Sequence, residues 1–142
     1  MLARDVLGEI GVKAVSIRQP WAELIIRGCK TLELRSWPIN YRGPLLIHAG
    51  KTIDRVAAQV LNFDVNACVI GALIGVATVS DCRRFTEQDA DILRRHGAYF
   101  GPWVPGLYAW ELRDVRRIRP RSWPGSLGLF EVPDEVGLEL KS

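Results

Sequence analysis

The chain has 142 residues, 48% hydrophobic and 25% charged, with a formal net charge of +3, as is typical of one globular domain. No apolar run reaches the roughly 18–20 residues that cross a membrane, and the first residues lack the pattern of a secretory signal. Three cysteines without a metal-ligand spacing agree with a reducing compartment. We therefore expect one cytoplasmic domain, residues 1–142, with no membrane association, metal or cofactor.

The first half of the chain begins with a predicted strand and helix. Residues 12–17 are rich in β-branched side chains and predict a strand. A helix is predicted over residues 20–27, with Pro20 in its first turn and Gly28 at its end. A second strand follows at residues 31–37, where apolar and polar side chains alternate.

A short strand at residues 45–49 and a helix that Thr52 caps, extending to about residue 61, come next. We expect this helix to bury Ile53, Val56, Ala57 and Val60. The later elements are a strand at 69–80, a helix from a capping box at Thr86 to about residue 95, and strands at 107–113 and 127–132. About six strands with two or three helices and no regular βαβ alternation favour an α+β fold, a small closed or half-closed β-barrel.

Basic residues are concentrated before the C-terminal segment. The first 121 residues carry 18 bases and 12 acids, and 15 of the 19 basic residues of the chain are arginine. Arginine suits phosphate groups and base edges, so this pattern favours nucleic-acid binding. A GC-rich genome also enriches arginine, and the charge alone leaves both explanations open.

The densest group of polar residues surrounds the second predicted strand. Glu33 and Arg35 share one face of this strand, and Lys30 precedes it. A carboxylate between two cations stays ionised and orients both of them. Oriented cations beside an aromatic ring can hold a phosphate and stack a base, although a solvated strand face with an ion pair fits the same pattern. Further candidates for the same cavity are Trp21, Trp37, Tyr41, Arg42 and His48.

The octapeptide GCKTLELR at residues 28–35 fits the G-x-K-x-x-E-x-R pattern of the ASCH domain family. Segments 16–22, 42–49, 71–82 and 108–112 resemble the activating signal cointegrator-type branch of that family. The resemblance extends over about residues 12–132, which it identifies as the core of one ASCH domain. It implies a PUA-like fold, a small pseudo-barrel with helices at its sides, and a role linked to RNA or to nucleic acids more broadly.

The resemblance also implies which residues form the site. It makes Lys30, Glu33 and Arg35 the cleft residues, while Gln19, Trp21 and Trp37 belong to the flanking pattern. Separately, the arginine-rich segment 113–121 predicts an electrostatic track for a nucleic-acid backbone or, alternatively, a solvated loop. We therefore expect RNA or single-stranded nucleic acid as the partner, with DNA as an alternative. The predicted nucleic-acid-binding residues are Arg18, Gln19, Trp21, Lys30, Glu33, Arg35, Trp37, Tyr41, Arg42, His48, Arg117, Arg119 and Arg121.

Some ASCH proteins are enzymes, so a hydrolase acting on RNA or a modified nucleoside is the alternative function. It would resemble either a ribonuclease or an N4-acylcytidine amidohydrolase, with Lys30 and Glu33 as the catalytic residues. The amidohydrolase branch uses a hydroxyl nucleophile at the position that Glu33 occupies here, and a carboxylate does not supply that hydroxyl. A protein-interaction domain is a third alternative, favoured only by tryptophan-containing patches such as residues 101–103.

Overall fold

The β-branched and alternating segments form strands that are mostly longer than their sequence pattern indicates. The computed structural model describes residues 11–133. The elements in chain order are β1 (Val12–Gln19), α1 (Trp21–Ile26), β2 (Leu32–Arg35), β3 (Gly43–Ile53), α2 (Arg55–Val60), a 3₁₀ turn (Val65–Ala67), β4 (Ala72–Arg84), α3 (Glu87–Arg95), β5 (Tyr108–Ser122) and β6 (Leu129–Val132). Six strands and three α-helices confirm the α+β class. No helix in the described range is long and apolar enough to cross a membrane.

The six strands form one mixed sheet in the order β2-β5-β4-β3-β1-β6. Strands β1 and β3 are parallel, and the other neighbouring pairs are antiparallel. Within residues 11–133, β2 and β6 lie at opposite ends of the sheet without pairing, so the closed barrel among the predictions is wrong. The short β6 pairs with β1 only as far as Val15, and within residues 11–133 no strand pairs with this edge of β1 beyond that point.

A side chain from the opposite end of the sheet reaches this edge of β1. Arg35 on β2 donates a hydrogen bond from Nη2 to the carbonyl oxygen of Ser16 on β1, at 2.9 Å. The sheet is therefore curled enough for its two end regions to meet through a side chain rather than through a ladder of backbone hydrogen bonds. This arrangement corresponds to the half-closed barrel, the second of the two forms that the sequence predicts.

The arginine-rich segment and the second helix differ from the predictions. Residues 113–121 belong to β5, which pairs with β4 through several register shifts, so this segment is not a loop. Strand β3 continues to Ile53, and Asp54 rather than Thr52 caps α2. That helix packs through its small residues, Ala57 and Ala58, while Val56 and Val60 remain exposed.

The ends of the other two helices follow the sequence closely. Pro20 is the N-cap residue of α1, after a cis peptide bond, and Gly28 lies just beyond the helix with φ of +81°. The capping box of α3 is confirmed, because Thr86 Oγ1 accepts from the backbone N–H of Asp89, and the Asp89 carboxylate accepts from that of Thr86.

The main core packs α1 against the sheet around the fully buried Trp110. Helix α1 approaches the centre of the sheet at Gly75, where any side chain would collide with it. A Cβ atom at this position would lie 2.2 Å from Cδ1 of Ile26 and 2.7 Å from the carbonyl oxygen of Arg116.

We predict that Gly75→Ala lowers the free energy of unfolding by at least about 1–3 kcal/mol, because α1 and β5 must move to admit the methyl group. Urea denaturation followed by circular dichroism measures the change. Ser80→Ala, at an exposed position of the same strand, is the control and stays within about 0.5 kcal/mol of the parent protein. Equal stability of the Gly75→Ala protein and the parent contradicts this account of the helix packing.

Candidate functional site

The carboxylate of Glu33 is held between two cations. Its Oε1 accepts a hydrogen bond from Lys30 Nζ at 2.9 Å, and its Oε2 accepts one from Arg35 Nε at 2.7 Å. Lys30 also donates to the carbonyl oxygen of Leu32 at 2.6 Å. Lys30 and Glu33 are each only 5% exposed. Together with Arg35 they form a largely buried ionic cluster, which we call the triad.

The chain turn between α1 and β2 places Lys30 in the triad. Gly28 ends the helix in the left-handed conformation, which glycine adopts without strain. The backbone N–H groups of Cys29 and Lys30 then both donate to the carbonyl oxygen of Leu24. The extended backbone of β2 puts Glu33 and Arg35 on one face, as their spacing predicts.

The two cations keep Glu33 ionised in spite of its burial. Burial alone raises the pKa of this carboxyl, but the charges of Lys30 and Arg35, together with their hydrogen bonds, outweigh it and lower the pKa below its ordinary value. The triad therefore combines two cations with one anion, and the excess positive charge favours an anionic ligand.

The triad forms part of the wall of an open cavity of about 460 Å³, a volume within the range of small-molecule binding sites. The rings of Trp21 and Phe100 are nearly parallel, at 18°, with centroids 5.9 Å apart. Trp21 Nε1 donates to Asp54 Oδ2 at 3.0 Å, which fixes the indole. The lining residues are Ser16, Ile17, Arg18, Trp21, Lys30, Glu33, Leu34, Arg35, Ala98, Tyr99 and Phe100.

Cations beside an aromatic wall suit a planar ligand that carries negative charge. Arg18 lies at the rim with its side chain 59% exposed, 3.8 Å from the carboxylate of Asp54. Among residues 11–133, no three His, Cys, Asp or Glu side chains form a group that could hold a metal ion.

The sequence matches the ASCH domain family over residues 15–122, a span that includes all eleven of these lining residues. The chain belongs to the ASCH domain family.

Two curated relatives of this ASCH domain are activating signal cointegrator 1 of Mus musculus and of Homo sapiens. Each is 33% identical over 102 residues, covering 61% of this chain but 17% of the relative. The crystal structure of ASCH from Zymomonas mobilis aligns with a TM-score of 0.58 at 18% identity, covering 91% of this chain and 92% of that one. Two of its point mutants align with TM-scores of 0.59 and 0.60. At this identity the structural likeness establishes the ASCH fold.

The cavity of this ASCH domain gathers five of the thirteen residues predicted to bind nucleic acid. They are Arg18, Trp21, Lys30, Glu33 and Arg35. Gln19 is buried instead, where its Oε1 accepts from the backbone N–H of Glu23 and its Nε2 donates to the carbonyl oxygen of Val69. It therefore connects β1 to the first turn of α1.

Four further candidates, Trp37, Tyr41, Arg42 and His48, are not among the residues that line the cavity. Trp37 packs edge to face on Trp110, with ring centroids 5.0 Å apart. The side chains of Tyr41 and Arg42 donate to nearby backbone carbonyl groups. His48 is 1% exposed and lies behind Ser16. That these four residues bind nucleic acid therefore stays a prediction.

The three predicted arginines of β5 also lie outside the cavity lining. Arg117 makes two hydrogen bonds to the carboxylate of Glu23, at 2.6 and 3.0 Å. Arg121 lies over the ring of Trp123, 5.9 Å from its centroid, and Arg119 is exposed.

Two parts of the cavity lining were not predicted from the sequence: the aromatic side chains that follow α3, and Ser16 on β1. Tyr99 and Phe100 reach the cavity from a loop that is distant in sequence from the motif. The sequence does contain a signal for these two residues, because they form an aromatic pair between Gly97 and Gly101. Two aromatic rings in a glycine-flanked loop indicate a binding surface. Ser16 opens the segment 16–22 that resembles the family, but that resemblance gave it no role in the site.

We predict that Glu33→Gln lowers the free energy of unfolding at pH 7 by about 3–5 kcal/mol, because Lys30 then stays buried without a counter-ion. The folded pKa of Glu33 lies below its ordinary value of 4.5, so its stabilisation is complete above that pH. The difference between parent and variant shrinks as the pH falls through the folded pKa. Denaturation measured from pH 3 to 7 tests both statements.

Glu111→Gln is the matched control, because Glu111 also binds an arginine but at the surface, where a pair contributes about 0–1 kcal/mol. An equal loss in both variants contradicts a special role for Glu33 in this fold.

Proposed function

We propose that this ASCH domain binds single-stranded nucleic acid, RNA in preference to DNA, by accepting an unpaired base in the cavity. The observation that carries the proposal is the placement of the triad and the Trp21–Phe100 pair in one open cavity. RNA is favoured because ASCH proteins are linked to RNA, and because bases of single strands are free to stack on aromatic side chains.

The solvent exposure of each side chain indicates its role in the cavity. Lys30 and Glu33 are buried and mutually bonded, so their main contribution is to fix Arg35 and the local positive charge. The side chain of Arg35 is 23% exposed and that of Arg18 is 59% exposed, which makes these two the groups available to a phosphate. The aromatic rings supply a surface for the base.

We predict that Phe100→Ala weakens binding of a fluorescent single-stranded RNA about 5- to 150-fold, the loss expected for one base–aromatic stack. Arg18→Ala weakens binding and reduces the slope of log affinity against log salt concentration by about 0.7, as for one lost phosphate contact. Fluorescence anisotropy at several salt concentrations measures both effects.

Arg84→Ala removes the same charge from an exposed position of β4, outside both the cavity and the arginine-rich segment, and serves as the control. Equal affinities for the parent, Phe100→Ala and Arg18→Ala proteins contradict the proposed site. A loss that is as large in Arg84→Ala as in Arg18→Ala indicates that net charge alone drives binding.

A hydrolase acting on RNA or a modified nucleoside is the second candidate. One observation favours it: Lys30 Nζ and the Glu33 carboxylate form a bonded acid–base pair in the cavity. Such an enzyme releases products from RNA or from N4-acetylcytidine, and chromatography with mass detection measures them. Turnover that Glu33→Gln abolishes, at a temperature where the variant is folded, supports this candidate. No turnover, or turnover that the variant retains, rejects it.

A further inference from the structure

A serine and a histidine form a hydrogen-bonded pair beside the cavity. Ser16 on β1 and His48 on β3 are direct partners in the register of these parallel strands, and Ser16 Oγ lies 2.9 Å from His48 Nδ1. The second ring nitrogen, Nε2, lies 2.6 Å from the carbonyl oxygen of Trp123. Since a carbonyl only accepts, Nε2 carries the proton, and in the neutral ring Nδ1 accepts from the Ser16 hydroxyl.

The residues around Ser16 and His48 hold the two side chains together and leave space for the Ser16 hydroxyl group. Ser16 lines the cavity and is half-buried, whereas His48 is buried behind it. A Cβ atom on Gly50 or on Gly125 would lie 3.0 or 3.1 Å from Ser16 Oγ, so a side chain at either position would crowd it. The pairing of β3 with β4 shifts register at His48, an irregularity that is common next to active sites.

We propose that Ser16 is a nucleophile for acyl transfer, with His48 as its general base and the Trp123 carbonyl as the group that orients the ring. His48 Nδ1 takes the hydroxyl proton while Ser16 Oγ bonds to the carbonyl carbon of an ester. Arg35, hydrogen-bonded to the backbone of Ser16, offsets the negative charge that develops on the substrate oxygen.

The remaining steps require no reactant other than water. Collapse of the tetrahedral intermediate breaks the bond to the leaving group, which departs as an anion, and His48 releases its proton to solvent. Water then attacks the acyl-serine ester and gives a proton to His48. That proton returns to Ser16 Oγ as the carboxylic acid leaves.

The leaving group defines the class of substrate. Aryl esters and thioesters have leaving groups that are stable as anions, so they depart without a proton from His48, as these steps require. The inference uses the cavity of the proposed function but does not require nucleic-acid binding.

A fluorophosphonate probe tests the proposal, since an activated serine forms an Oγ–P bond to it and expels fluoride. We expect labelling of the parent protein at Ser16, located by peptide mass mapping. The rate should be at least about 100-fold higher than in Ser16→Ala or His48→Gln, the lower range for general-base catalysis. Ser80→Ala keeps the parent rate, because Ser80 bonds a carboxylate and has no histidine partner.

Labelling no faster than in Ser16→Ala, or labelling at another serine, contradicts the proposal. If His48→Gln does not fold, Gly125→Ala replaces it, since its Cβ would lie 3.0 Å from the His48 ring and disturb the pair. Unchanged labelling in the folded variant then contradicts the role of His48. The assay contains no nucleic acid, so failure here leaves RNA binding untouched, and failure of RNA binding leaves this result untouched.

Discussion

The buried carboxylate of Glu33 is the constraint on which the site depends. An ionised group that is 5% exposed is stable only with opposite charges beside it, and Lys30 and Arg35 supply them. The same bonds fix both cations, and Arg35 extends from them to the backbone of β1. One electrostatic requirement therefore determines the position of the positive charge and joins the two end regions of the sheet.

The cavity lies at the gap between β1 and β2, two strands that do not pair with each other in the described part of the chain. Strand β6 ends its pairing at Val15, and the following residues of β1 contribute Ser16, Ile17 and Arg18 to the lining. A complete backbone ladder between β1 and β2 would occupy this gap. The open sheet thus gives the ASCH domain a site whose polar groups come from β1, β2 and the turn before β2, and whose aromatic wall comes from α1 and the loop after α3.

Local signals in the sequence predicted the motif and failed for contacts that depend on distant segments. The spacing of Lys30, Glu33 and Arg35 predicted a cluster because neighbours on one strand meet wherever the strand lies. Alternation and caps placed five of the six strands and the α3 helix to within about four residues, whereas β5 continues nine residues beyond its predicted end. Tyr99 and Phe100 were missed because their place in the cavity depends on tertiary packing. The exposure of Val56 and Val60 was missed for the same reason.

The five tryptophans of the chain allow the central proposal, nucleic-acid binding in the triad cavity, to be tested in one experiment. Single-stranded RNA titrated into ¹⁵N-labelled protein reports on each indole N–H group in a two-dimensional NMR spectrum. The account predicts a saturable shift of the Trp21 indole signal, with the signals of Trp103 and the buried Trp110 nearly unchanged. Saturable shifts confined to Trp123 or Trp103, with Trp21 unaffected, would contradict it.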